Sequence, residues 1–321
     1  MIIFVTTSWH KYGPIEIEDM PNAPAIKVIS YNRLFRQKQL PMATYIFTDF
    51  DRLSSWQTEL AAFAFRTLKA AGATVLNDPA QALMRLPLLK QLQGCGVNRF
   101  QVWDPAIDAL PDRFPVFLRT RDAHRGVLTE LLTTPTEAED ALKQAIEDGF
   151  GIQNLMFVEY CAEPILGGVF RKLAAFRIGG TIQMTLAVHE RHWQAKYGEA
   201  GVASADLYQA DYDSIDTNPY NDVLERAFDT ANIDYGRVDF AIVDGAPQIY
   251  EINTNPHISL IYEHPFPKRL EAQDLFMKRF VEALDPIDTS TVSKQKIALD
   301  HPALIKQRKT DRFVLHERWT I

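Results

Sequence analysis

Asp239 and Glu251, with the amide Asn253 just beyond, are the side chains of this sequence best suited to chemistry. They lie in GRVDFAIVDGAPQIYEINTNP, residues 236–256, where two β-branched, aromatic-rich runs flank Asp244-Gly245, a hairpin signal. In the first run Val238, Phe240 and Ile242 alternate with Arg237, Asp239 and Ala241. In the second, Gln248, Tyr250 and Ile252 alternate with Ile249, Glu251 and Asn253. Matching the more apolar faces groups the even-numbered residues, so Asp239, Glu251 and Asn253 share the other face. An odd-length loop, Asp244 to Ala246 or Val243 to Pro247, sets Asp239 directly opposite Glu251. Like charges so placed, with Cβ atoms about 5 Å apart, repel each other, and something positive belongs between them. Two carboxylates and an amide oxygen are hard ligands that suit Mg²⁺ shared with the phosphates of a nucleotide. The competing reading is an ordinary half-buried hairpin whose acidic face meets water. Asn253-Thr254-Asn255-Pro256 weighs against it, being a poor strand continuation whose amides look placed for a ligand rather than for packing.

Composition narrows the partners. A chain of 321 residues can bury a large core and is expected to hold two or three subdomains. With 46% apolar and 23% charged residues it reads as a soluble globular protein. A net charge of −7 argues against a nucleic-acid-binding surface. No apolar run approaches a membrane span, and MIIFVTTSWHKYG lacks the charged start of a signal peptide. Cys95 and Cys161 have no CxxC spacing, so neither disulfide nor zinc is indicated, and a cytoplasmic location is expected.

The elements that must position the hairpin follow a recognisable order. IIFVTT, KVISYN and TYIFTDF are short β-rich runs, SSWQTELAAFAFRTLKAAG is helical to Gly72, and TVLND is a further strand. Asp78-Pro79 is expected to open a helix through PAQALMRLPLLKQLQGCG, completing an open α/β layer with a mainly parallel sheet. PVFLRT, the polar RDAHRG, the strand VLTELLTT, a helix capped by Thr136 and ending at Gly149, and LMFVEYC form a compact α+β unit. FRKLAAFRIGGTIQMTLAVH is a long hairpin about Gly179-Gly180, and alternation puts Arg171 and Arg177 on one of its faces. Residues 198–219 are polar and are expected to be an irregular, substrate-covering loop. DVLERAFDTANIDYG and DLFMKRFVEALD are helical, and KQKIALDHPALIKQRKTDRF reads as a peripheral helix and arm.

This order of parts resembles the ATP-grasp superfamily over roughly residues 75 to 260, in its glutathione synthetase and ribosomal-protein glutamate ligase-like branch. Asp239…Glu251-Ile252-Asn253 looks like its metal-binding hairpin, and Asn77-Asp78-Pro79 resembles the approach to its central region. PVFLR, ending in Arg119, looks like the first strand of the ATP lid; Phe157 to Cys161 looks like the hinge. The resemblance implies an α/β (α+β) ATP-grasp fold: an N-terminal α/β domain over 1–97, a lid subdomain over 98–160 and a C-terminal metal-binding subdomain over 161–321. It implies ATP with Mg²⁺, Mn²⁺ being an alternative, and metal ligands Asp239, Glu251 and Asn253. Arg85 and Arg119 stand where the family has phosphate-binding lysines, an exchange that keeps the charge and adds bidentate geometry. Glu159, Tyr160 and Cys161 would read adenine through their backbone, and Glu163 would accept from the ribose. Arg171, with Arg119 the catalytic assignment, would position the acid substrate, and the cluster His189, Arg191, His192, Trp193 and Lys196 offers an anion site.

The lid loop departs from the family: Arg121-Asp122-Ala123-His124-Arg125-Gly126 has one glycine where members carry a glycine-rich cradle. The activity implied is ADP-forming ligation of a carboxylate to an amine or other nucleophile, through an acyl-phosphate, on a small molecule or peptide. The alternatives are a small-molecule kinase of the same fold and a nucleotide-binding module with little turnover. The substrates and the oligomeric state are not encoded in any motif.

Overall fold

The computed structural model describes residues 1–122, 126–165, 167–258, 260–288 and 295–310. The chain opens with a parallel sheet of β1 (Ile2–Thr6), β2 (Ile26–Ser30), β4 (Thr44–Phe47) and β5 (Val75–Leu76), in the order β2-β1-β4-β5. Its strands are apolar at nearly every position because both faces are covered. Ile2, Phe4 and Ile46 enter one core, while Ile3, Val5, Tyr45 and Phe47 enter another with α2 (Tyr31–Arg36) and α3 (Ser55–Ala70). Ser54 and Gln57 close a capping box on α3. A short helix, α1 (Tyr12–Ile15), follows the first strand.

A three-stranded sheet, β6 (Val102–Trp103), β8 (Leu155–Glu159) and β7 (Val116–Thr120), carries α5 (Pro135–Glu147). A third sheet pairs β11 (Thr181–Glu190), β10 (Val169–Ile178), β12 (Tyr235–Val243) and β13 (Ala246–Asn253), with β9 (Pro164–Ile165) against β10. Three helices, α6 (Ala205–Thr217), α7 (Asn221–Ala231) and α8 (Pro267–Leu284), pack on β11. Between these sheets lies α4 (Arg85–Gly94), whose Leu86, Leu88, Leu89 and Leu92 join the first parallel sheet, the lid strands and the third sheet in one core. Asn77 stitches the same junction: its side chain donates to the carbonyls of Phe47 and Tyr235 and accepts from the N–H groups of Asp234 and Tyr235.

Several expected elements differ. The helix after Pro79 begins only at Arg85, because Asp78 folds residues 78–81 into a turn through Ala80 N and Gln81 Nε2. The cap of α5 is Thr134, whose hydroxyl accepts from Glu137 N. VLTELLTT makes only isolated bridges, Val127 to Arg119 and Leu132 to Val116; the Thr129 hydroxyl takes the Leu118 N–H that a strand carbonyl would accept. Residues 198–219 are largely the helix α6, capped by Ser204. Its buried face is Tyr208, Asp211, Ser214 and Ile215, a polar stripe that apolar periodicity cannot reveal.

The tail is not peripheral. Strand β14 (Lys296–Ala298) pairs with β3 (Gln39–Pro41), and Ile297, Leu299 and Leu304, the last on α9 (Pro302–Thr310), are buried in the N-terminal core. Ala123, His124 and Arg125 of the lid loop, and the end of the expected arm, lie outside the described residues. Among the described residues no helix is long and apolar enough to cross a membrane.

Candidate functional site

The acidic hairpin has the expected pairing for a different reason. Asp244 and Gly245, at φ 48° and 73°, form a two-residue turn, and the pairs run from Val243–Ala246 to Phe240–Ile249. A register shift at Tyr250 then supplies the extra residue, so that Asp239 faces Glu251, Val238 faces Ile252 and Arg237 faces Asn253. The even-numbered residues therefore come together only beyond this bulge, not along the whole hairpin. Tyr250 itself is anchored by its hydroxyl, which donates to Cys161 O at 2.6 Å.

The positive charge demanded by two opposed carboxylates comes from the chain itself. Asp239 is only 3% exposed. Arg237 grips it with two hydrogen bonds, Nε to Oδ1 at 2.7 Å and Nη2 to Oδ2 at 3.2 Å, and Lys172 Nζ stands 3.5 Å from Oδ2. Burial pushes the Asp239 carboxyl up, but the two cations outweigh it and hold it below the ordinary aspartate range. Glu251 is ion-paired with Arg85, the first residue of α4, whose other guanidinium nitrogen donates to Arg121 O at 2.8 Å. Burial lowers Arg85 to about 10, against the pull of Asp51, Asp122 and Asp239. Arg119 is held well below its usual value by burial and by the neighbouring Arg85. It donates to Thr120 O and makes no ion pair among the described residues.

These groups stand on the wall of a cavity of about 620 Å³. The ten residues given metal, nucleotide or acid-positioning roles in the sequence line it: Arg85, Arg119, Glu159, Tyr160, Cys161, Glu163, Arg171, Asp239, Glu251 and Asn253; of the expected anion cluster, Trp193 and Lys196 line it but His189, Arg191 and His192 do not. The hinge is already partly engaged. Glu159 N donates to Gln101 O, Tyr160 N donates to Pro115 O, and the Glu159 carboxylate takes Gln101 N and Arg113. Burial, then Glu159, raises the Cys161 thiol to about 11, so it stays protonated near neutrality. Glu163 is exposed and accepts from Asp244 N at 2.7 Å, tying the hinge to the hairpin turn.

Beside the hinge, one oxygen of Glu190 accepts from the N–H groups of Lys196, Tyr197 and Gly198 at 2.6–2.8 Å. That nest folds the loop after β11, where Trp193 packs on Phe117 and Tyr160 and lines the cavity wall between the three-stranded sheet and the third sheet.

Arg171 is engaged by a helix packed on its sheet. It shares its strand face with Arg177, but helices cover that face: Arg171 pairs with Asp211 of α6 at 2.7 Å, and Arg177 pairs with Asp229 of α7 at 2.5 Å. Asp211, 2% exposed, also faces Arg269 and the buried His189, so His189 serves this interior cluster. The hairpin cation that reaches the carboxylates is Lys172. Its place beside Asp239 depends on the pairing of β10 with β12, in which Ala174 faces Asp239, and no local pattern states that pairing. Arg237 was legible, since two residues along a strand return to the same face. The polar side chains after the hairpin also have structural partners. Thr254 accepts from Asp49 N, and Asn255 donates to His10 O, fastening the hairpin to the first sheet.

The donors fit a hard divalent cation in kind. Among the described residues no three His, Cys, Asp or Glu side chains gather as a ready cage. Two carboxylates and the Asn253 amide oxygen are instead the small protein share expected when phosphate oxygens and water complete the shell.

A crystal structure of D-alanine–D-alanine ligase from Bacillus anthracis is similar over 97% of this chain and 99% of that one, with TM-score 0.51 and 16% identity. The ATP complex of a ligase of that name and organism gives 0.49 at 15% identity over 89% and 98%, and D-cycloserine synthetase gives 0.47 at 17% over 88% and 100%. No protein-family profile and no curated protein matches the sequence. Identity this low speaks for the fold alone, and the first of the three carries it: the chain shares the fold of D-alanine–D-alanine ligase.

Proposed function

We propose that the cavity binds ATP with Mg²⁺ and that the protein is an ADP-forming ligase, joining a carboxylic acid to an amine or similar nucleophile. One observation carries the reading: Asp239 faces Glu251, with Asn253 alongside, on the wall of a cavity that also gathers Arg85, Arg119, Lys172 and Arg237. In the reaction, a substrate carboxylate oxygen attacks the γ-phosphorus and the bond to the bridging oxygen breaks, releasing ADP. The amine nitrogen then attacks the acyl carbon, phosphate departs, and the nitrogen loses a proton. The likeness to ligases of this fold supports that scheme without naming the acid, the amine, or whether either is part of a peptide.

The residues divide the work. Arg119, with no ion pair of its own among the described residues, and Arg85 draw the phosphates. Asp239, Glu251 and Asn253 hold the metal, which when bound neutralises phosphate charge. Lys172 and Arg237, beside Asp239 on the cavity wall, would steady the acyl-phosphate oxygens once a metal takes over Asp239, whereas Arg171 stays held by Asp211 of α6. Leu89, Phe100, Phe117 and Tyr250 give the base an apolar slot against the 159–161 hinge, and Glu163 stands at its edge for the ribose. Trp193, packed on Phe117 and Tyr160, would shield one side of the bound nucleotide from water. No covalent nucleophile is required, since positioning and electrostatics supply the acceleration.

The test is ADP release with pooled carboxylic acids and amines. Release that requires one member of each pool supports ligation; release with a lone hydroxyl acceptor would replace it with phosphoryl transfer.

A further inference from the structure

Arg85 stands in a place that phosphate and metal both need. Its side chain is 9% exposed and ion-paired to Glu251, one of the two opposed carboxylates. It borders the large cavity and also a second one of about 30 Å³, lined by Asp51, Arg121, Asp122 and Thr254. A small space with these polar groups on its wall therefore also borders the Arg85–Glu251 pair. The large cavity is also lined by Arg119, a second, half-buried guanidinium without an ion pair among the described residues. Arg85 thus has Glu251 as its ion-pair partner, and Arg119 brings a second guanidinium, with no ion pair among the described residues, to the same cavity wall.

We propose that Arg85 makes metal binding depend on nucleotide: in the free protein it occupies Glu251, and only a polyphosphate arriving between Arg85 and Arg119 draws it off and frees that carboxylate. This rests on the nucleotide reading above. A cation arriving alone meets a guanidinium already seated on its own ligand. A polyphosphate offers Arg85 several anionic oxygens in bidentate geometry in place of one carboxylate oxygen. Because coupling between two ligands is reciprocal, whatever loosens Arg85 from Glu251 aids the other partner of either group.

The consequence is a reversal of sign in one variant. Glu251→Gln removes a metal ligand, so ATP with Mg²⁺ binds more weakly than in wild type. The same change releases Arg85, so ATP in excess EDTA binds more tightly, by about fivefold or more. Isothermal titration of both full-length proteins under both conditions reads this directly. In parallel, Mn²⁺ titration followed by electron paramagnetic resonance, without nucleotide, is expected to show Arg85→Gln taking up Mn²⁺ about fivefold or more tightly than wild type. If wild type binds Mg·ATP but Glu251→Gln shows no gain for metal-free ATP, the coupling is wrong and the nucleotide site stands. Free wild type taking up Mn²⁺ as well as Arg85→Gln also overturns the coupling. No ATP binding to wild type with or without metal overturns both readings together.

Discussion

Asp239 is almost sealed from water, and its ionisation depends on two cations rather than on solvent. Because its folded pKa is depressed, it contributes stability above the ordinary aspartate range, and that contribution is lost as pH falls through the depressed value. Arg237→Gln strips the two-bonded partner and leaves a buried carboxylate with Lys172 alone, which is expected to cost about 3 kcal/mol at neutral pH. Melting curves from neutral to acidic pH check this: the deficit relative to wild type shrinks as Asp239 protonates. A deficit independent of pH would place the loss in packing instead. At this scale the sequence was informative wherever two residues share one strand. Asp239, Arg237, Glu251 and Asn253 follow from alternation, whereas Lys172 lies on another strand and needs a pairing register that no local pattern states.

Elements explain why the hairpin works with a turn of the wrong parity. A two-residue turn alone sets Phe240 opposite Ile249 and leaves Asp239 opposite Tyr250; the bulge restores Glu251. Bulges leave little trace in sequence, so the right pairing was reached through the wrong loop. Helix α6 was missed for a related reason: it faces the core with Asp211 and Ser214, which satisfy Arg171, rather than with an apolar stripe. Gly236 shows how tightly the hairpin is packed, since a Cβ there would come within 2.9 Å of Asn253 O. Gly236→Ala is therefore expected to cost about 1–3 kcal/mol through overpacking and to shift the strand that carries Asn253. Denaturant melts measure the loss, and an unchanged midpoint would mean that the strands separate freely at that point.

Across the whole molecule, the cavity is bounded by elements far apart in sequence and closed by the core that α4 shares with all three main sheets. Asn77, Thr254 and Asn255 fasten the first sheet to the hairpin. The strand and helix of the tail complete the N-terminal core rather than decorating it. The architecture was legible because its β, lid and hairpin segments each carry a period of their own. The tail was not, because three apolar residues in a charged stretch do not announce the core they fill. A ligand held between these sheets must stabilise the entire chain, since it binds the folded form alone. The direct measurement is thus thermal melting with ATP, with and without Mg²⁺, on wild type and Glu251→Gln. A magnesium-dependent rise in Tm that the variant loses is the predicted result; no shift in wild type at millimolar nucleotide would contradict an ATP site in this cavity.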